Sequence, residues 1–145
     1  MKAIIFDFGN VIINIDVPRT FEAFSRLSGK SPQKINQLFD QFQLFKRYES
    51  GLFSDLEFRE IVRQIIGFPF NDAEIDEAWN ALLVDIPSER IELIKQMSLR
   101  YPIYLLSNTN NIHIEEANKL FQQQFGIKTV KSLFNKAFYS YEIGL

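Results

Sequence analysis

Two points in the chain place polar groups at the abrupt end of an apolar run. The first is Asp7, which closes Met-Lys-Ala-Ile-Ile-Phe and is followed at once by Gly9 and Asn10. Five of the six residues before it are non-polar, which suits a short strand buried on both faces. A carboxylate at the exit of such a strand lies where open α/β sheets bind ligands. Desolvating an unpaired charge costs several kcal/mol, so a carboxylate there points to a metal or a reaction. The second point is Pro102 to Asn110, Pro-Ile-Tyr-Leu-Leu-Ser-Asn-Thr-Asn, where another apolar strand gives way to hydroxyl and amide side chains before a helical pattern. Ser107, Asn108 and the free N–H groups of that helix suit a phosphate or another anion.

These residues need a scaffold, and the composition allows one. A chain of 145 residues can bury a sizeable core, and 15 phenylalanines make that core aromatic. A net charge of −2 with scattered Lys and Arg gives no electrostatic case for nucleic acid or an anionic membrane. The absence of cysteine excludes disulfides and thiol chemistry and fits a reducing compartment. The apolar start is too short for a signal peptide, and no run reaches the roughly 18 apolar residues of a membrane helix. The expectation is a soluble, cytoplasmic protein with no nucleic-acid or membrane partner.

The pattern divides the chain into a split α/β unit, residues 1–15 and 87–145, and a helical segment, residues 16–86. Four helices are expected in that segment. The first opens near Pro18 and carries Phe21, Phe24 and Leu27; the second opens at Ser31-Pro32 and carries Ile35, Leu38, Phe39 and Phe42. The third follows the capping-box pair Ser54 and Glu57, with Phe58, Ile61, Val62, Ile65 and Ile66 on one face. The fourth is led by Asp72, with Ile75, Ala78, Trp79, Leu82 and Leu83. From Pro87 the pattern predicts a helix to about Leu99, a strand over Tyr101 to Ser107, a helix from about Ile112 to Phe125, a short turn at Val130 to Phe134 and a strand over Lys136 to Tyr141.

With both strand ends in place, the chain resembles hydrolases of the haloacid dehalogenase superfamily. Phe6-Asp7-Phe8-Gly9-Asn10-Val11-Ile12 is similar to that superfamily's first motif and Leu106-Ser107-Asn108-Thr109-Asn110 to its second. The Gly-Asn-Val form, with Ser-Asn-Thr-Asn and His113, looks most like the sugar-phosphate phosphatase branch that includes α-glucose-1-phosphate phosphatases. The resemblance implies a Rossmann-like core with a parallel sheet and an inserted four-helix cap. It also implies a nucleophile, Asp7, that forms an aspartyl-phosphate. Mg²⁺ would be held by Asp7 and the backbone carbonyl of Gly9. The phosphate of a small phosphorylated metabolite would be held by Ser107 and Asn108, with Asn10 either touching it or shaping the loop.

The chain departs from the superfamily pattern twice. Gly9 stands where a second Asp usually acts as acid and base; this branch shares that gap, which leaves Asp16 and His113 as candidate proton donors. The Lys and acidic pair that follow the second motif in relatives are not found before Leu145, so the core is expected to be C-terminally incomplete, with the Asp7 strand at a bare edge. Two other readings compete: a 2-haloacid dehalogenase using the same aspartate on carbon, and a non-catalytic phosphate-binding fragment. Smaller signals carry less. His113 and Glu116 form half a metal site, of a kind usual on solvated helix faces. Ser28-Gly29-Lys30-Ser31 mimics the end of a P-loop but follows a helix, and reads as a helix stop. Glu49-x-Gly51 reads first as shaping a turn in the helical segment and second as a substrate contact, and of the aromatic residues there, core first, Phe45 and Trp79 are candidates to line the substrate side.

Overall fold

The computed structural model describes residues 2–144. A three-stranded parallel sheet in the order β1-β4-β5 joins Ile4–Phe6, Ile103–Ser107 and Lys136–Tyr139. Phe6 lies opposite Leu105, and Ser107 opposite Tyr139, so the exits of all three strands share one end of the sheet. Side chains alternate across a strand. Ile4, Phe6, Ile103, Leu105 and Tyr139 therefore face one way and pack with Ile91 and Ile94 of α6 (Ser88–Ser98) and Ile114, Ala117 and Phe121 of α7 (Asn111–Phe125).

The other face is open. Ile5 is 68% exposed, Leu106 47% and Phe138 39%. This corrects the expectation of a first strand buried on both faces: an apolar run is compatible with either state, and only what packs on the second face decides. Among the described residues β1 is an edge strand.

Five helices, not four, fill the stretch between β1 and α6: α1 (Pro18–Ser28), α2 (Pro32–Phe42), α3 (Leu44–Glu49), α4 (Asp55–Ile66) and α5 (Asp72–Asn80). Their starts are written locally. Pro18 and Pro32 occupy first-turn positions, where no amide hydrogen is missed. Reciprocal capping boxes open α4, from Ser54 and Glu57, and α5, from Asn71 and Glu74. The extra helix arises because Gln43 turns left-handed, with φ 54°, and separates α2 from α3.

The stretch is also not purely helical. α5 stops at Asn80, and Leu83 belongs to β3 (Leu83–Asp85), which pairs antiparallel with β2 (Asn14–Ile15). This two-stranded ribbon carries the chain out of the α/β layer and back. The helices close over a second core centred on Trp79, which is fully buried and packs against Phe39, Phe45, Tyr48 and Phe58. The chain ends its described part with a short 3₁₀ turn (Val130–Leu133), β5 and α8 (Ser140–Ile143). No helix among the described residues is long and apolar enough to cross a membrane.

Candidate active site

Asp7 and Ser107 meet because β1 and β4 are parallel neighbours in register, so their exits lie side by side. Between those exits and the helical layer lies a cavity of about 290 Å³. Asp7, Gly9 and Asn10 line it from the β1 exit, and Ser107, Asn108 and Thr109 from the β4 exit. Phe45 and Glu49 of α3 close it from above, and Ile15, Val17, Leu82, Leu83 and His113 form apolar and aromatic walls. The four predicted side chains, Asp7, Asn10, Ser107 and Asn108, thus share one space with Gly9.

The Asp7 loop is shaped by its own backbone. Phe8 N–H donates to Asp7 Oδ1 at 2.7 Å, and Ile12 N–H and Ile13 N–H donate to the Phe8 carbonyl at 2.8 and 3.2 Å. Asp7 itself stays exposed while Phe8 is buried, so the carboxylate is presented to solvent by an anchored neighbour. Asn10 is left-handed, φ 59°, and its Oδ1 accepts from Ile15 N–H at 2.9 Å. The Asn10 side-chain carbonyl oxygen is thereby committed to the turn. A Cβ on Gly9 would come within 2.6 Å of Ile15 Cδ1. A side chain at that position would have to displace the Ile15 tip.

The second loop is held just as tightly. Ser107 is buried, and Thr109 N–H donates to Ser140 Oγ at 3.0 Å while Ser140 Oγ donates back to the Thr109 carbonyl at 3.2 Å. Asn110 caps α7: its Oδ1 accepts from His113 N–H at 3.0 Å and from Trp79 Nε1–H at 3.2 Å. One buried amide therefore ties the α7 start to the centre of the helical layer.

Of the two candidate proton donors, only His113 reaches the cavity; Asp16 is exposed and does not line it. His113 is not the solvated helix residue that its spacing with Glu116 suggests. It is 6% exposed, stacks on Trp79 at 5.0 Å with 7° between the planes, and pairs through Nδ1 with Asn80 Oδ1 at 2.8 Å. Burial lowers its pKa to about 3, so the ring is neutral at ordinary pH. Since Asn80 Oδ1 accepts, the Nδ1 nitrogen carries the hydrogen.

The sequence pattern assigns Glu49 first to shaping a turn, with substrate contact as its lesser reading. In the structure its carboxyl shares the cavity with Asp7, and desolvation raises its pKa from 4.5 to about 7. Phe45 lines the cavity as its candidacy suggests, Trp79 does not, and Thr109 is a further lining residue. Among the described residues, those that line the cavity include no Lys or Arg.

A carboxylate presented at the exit of a first parallel strand, beside a hydroxyl-amide loop and beneath inserted helices, defines a capped α/β hydrolase. No protein-family model matches the chain. Comparison with curated proteins finds 28% identity over 144 residues to a D-ribitol-5-phosphate phosphatase from Bacteroides thetaiotaomicron, spanning 99% of this chain and 69% of that protein. Among solved structures, a HAD family enzyme from Bacteroides thetaiotaomicron in complex with magnesium and inorganic phosphate superposes with a TM-score of 0.89 at 36% identity, covering 100% of this chain and 71% of that one. A HAD-like family hydrolase from Porphyromonas gingivalis gives 0.86 at 27% identity, over 99% of this chain and 68% of that one. The chain belongs to the haloacid dehalogenase (HAD) family of hydrolases.

Proposed function

We propose that this protein is a Mg²⁺-dependent phosphatase that hydrolyses a small phosphorylated metabolite, a sugar or polyol phosphate, through an aspartyl-phosphate on Asp7. The observation that carries the reading is the shared cavity: a presented carboxylate and a hydroxyl-amide loop at one sheet end, enclosed by the helices of residues 16–86. The likeness to a ribitol-phosphate phosphatase, and to a HAD enzyme holding magnesium and phosphate, supports it over carbon-halogen chemistry.

The donor set suits the metal. The Asp7 carboxylate and the Gly9 main-chain carbonyl are hard oxygens, the type Mg²⁺ prefers alongside several waters. Bound there, Mg²⁺ would offset the repulsion between the carboxylate and a phosphate dianion, which no lining Lys or Arg relieves.

The residues divide the work. Ser107 and Asn108, with the α7 start behind them, hold the phosphate oxygens. An Asp7 oxygen attacks phosphorus, the bond from phosphorus to the ester oxygen breaks, and that oxygen leaves as an alcohol with a proton from a general acid of the site. Water then attacks the aspartyl-phosphate, releasing inorganic phosphate and restoring the carboxylate. The helices exclude bulk water from the leaving group. The site chemistry calls for a small-molecule partner rather than nucleic acid, and we place the protein in the cytoplasm.

The test is phosphate release from a panel of sugar and polyol phosphates with Mg²⁺. Asp7→Asn should lower the rate by at least about 1,000-fold, and a chelator should abolish it reversibly. An Asp7→Asn variant that keeps its activity would refute the assignment. Activity that survives chelation would point back to metal-free chemistry.

A further inference from the structure

We propose that Glu49 is the general acid that protonates the leaving-group oxygen, a role that rests on the phosphatase reading above. Departure of an alkoxide from phosphorus needs a proton, and Gly9 supplies no side chain to carry one. Among the described residues, three side chains of acid or imidazole type line the cavity: Asp7, His113 and Glu49. Asp7 is the nucleophile. His113 commits Nδ1–H to Asn80, and its Nε2 is sealed away from solvent. Glu49 remains. It enters from α3, across the cavity from the sheet end, which is the side toward which a leaving group must project when its phosphate lies against Asp7 and Ser107.

Its placement is fixed from both sides. Its chain neighbour Tyr48 donates to Asp55 Oδ1 at 2.5 Å, and Asp55 Oδ2 accepts from Asn111 Nδ2 at 2.7 Å, at the first residue of α7. Two residues on, Gly51 has φ 82° and lies so close to the Tyr141 carbonyl oxygen that a Cβ would collide with it. The turn bearing Glu49 is therefore clamped to the α/β layer through α7 and α8. Desolvation keeps a proton on the carboxyl up to about neutral pH, and the carboxyl has no ion pair among the described residues. The titratable groups that share its space are Asp7 and His113. No α2 side chain lines the cavity, and on α8 Glu142 pairs with Lys131.

In the step, the O–H bond of the Glu49 carboxyl breaks as the bond from phosphorus to oxygen breaks. The proton goes to the ester oxygen, which leaves as an alcohol. Glu49, now a carboxylate, takes a proton back from the water that hydrolyses the aspartyl-phosphate, so nothing else is consumed.

The experiment compares a polyol phosphate, whose alkoxide is a poor leaving group, with p-nitrophenyl phosphate, whose phenolate leaves unaided. Glu49→Gln should lower kcat on the polyol phosphate about 100-fold and on p-nitrophenyl phosphate by less than about 3-fold. The wild-type fall in kcat/KM above about neutral pH on the polyol ester should vanish in the variant. Glu49→Asp, which keeps a proton carrier, should recover part of the loss. Equal losses on the two esters, or a raised KM with unchanged kcat and pH profile, would overturn the assignment and leave the phosphatase reading standing. A wild-type protein that hydrolyses neither ester would overturn both.

Discussion

Glu49 should make the protein less stable as the pH rises from mildly acidic to neutral, and one amide substitution should remove the effect. Burial raises its pKa from 4.5 to about 7, so between those values the folded state holds a proton that the unfolded chain releases. Stability falls with rising pH wherever the folded state binds more protons. The penalty therefore begins near pH 4.5, grows to about pH 7, and is constant above it. At about 1.4 kcal/mol per pKa unit the full gap is worth about 3 kcal/mol, and the partial water access of the carboxyl reduces this to about 2–3 kcal/mol. Glu49→Gln preserves the neutral shape and cannot ionise. Urea unfolding of both proteins from pH 4.5 to 9 isolates the term, because every other titrating group cancels in the difference. The variant should match the wild type near pH 4.5 and exceed it by about 2–3 kcal/mol above pH 7. A difference that is flat across the range, or one that shrinks as the pH rises, would refute the argument that this carboxyl is desolvated.

Other substitutions probe the clamps and the buried ring. Gly51→Ala must place a Cβ at φ 82° against the Tyr141 carbonyl, so it should cost about 2–3 kcal/mol in thermal or urea unfolding, whereas Gly29→Ala, at φ 78° with open space around it, should cost about 1 kcal/mol. Asp55→Ala leaves the Tyr48 hydroxyl and the Asn111 amide without their shared partner and should destabilise by about 2–3 kcal/mol, measured the same way. Ser140→Ala strips the buried Thr109 N–H of its acceptor and should cost about 1–3 kcal/mol while lowering phosphate affinity, read by inorganic phosphate inhibition. His113, lowered to about 3, should show a neutral Nδ1–H imidazole by nitrogen NMR down to about pH 5; an imidazolium at pH 6 would contradict its burial.

The parts legible in the sequence are those decided within a few residues. Asp7 and Ser107 end apolar runs, and once both runs are parallel strands their exits must coincide; the register does the rest. The Ser54 capping box and the proline starts of α1 and α2 are equally local. What was not legible is decided far along the chain. Leu82 and Leu83 continue the helical spacing of α5, yet Leu83 pairs with Ile15. That switch depends on a partner roughly seventy residues away, and no local pattern reports it. The break between α2 and α3 falls at Gln43, a residue with no special left-handed preference, so nothing in its type announces the turn. His113 has the spacing of a surface residue but is buried where α7 packs on α5, with Trp79 flat against it and Asn80 on its Nδ1.

The same contrast runs through the site. The end proposed to hold the anion is built from two contiguous segments, and their residue types suggest the chemistry. The end proposed to face the leaving group is built by α3, whose Glu49 is an ordinary carboxylate by type and spacing and becomes unusual only when the helices enclose it. Enclosure depends in turn on the links from Tyr48 through Asp55 to Asn111 and from Gly51 to Tyr141, each joining an element of the helical layer to one of the α/β layer. A change that loosens either link should therefore lower the pKa of Glu49 toward 4.5 without touching it. In Asp55→Ala the stability difference made by Glu49→Gln should shrink, a non-additivity that a double-mutant cycle at pH 8 would read directly. Strict additivity there would mean that the enclosure of Glu49 does not depend on this link.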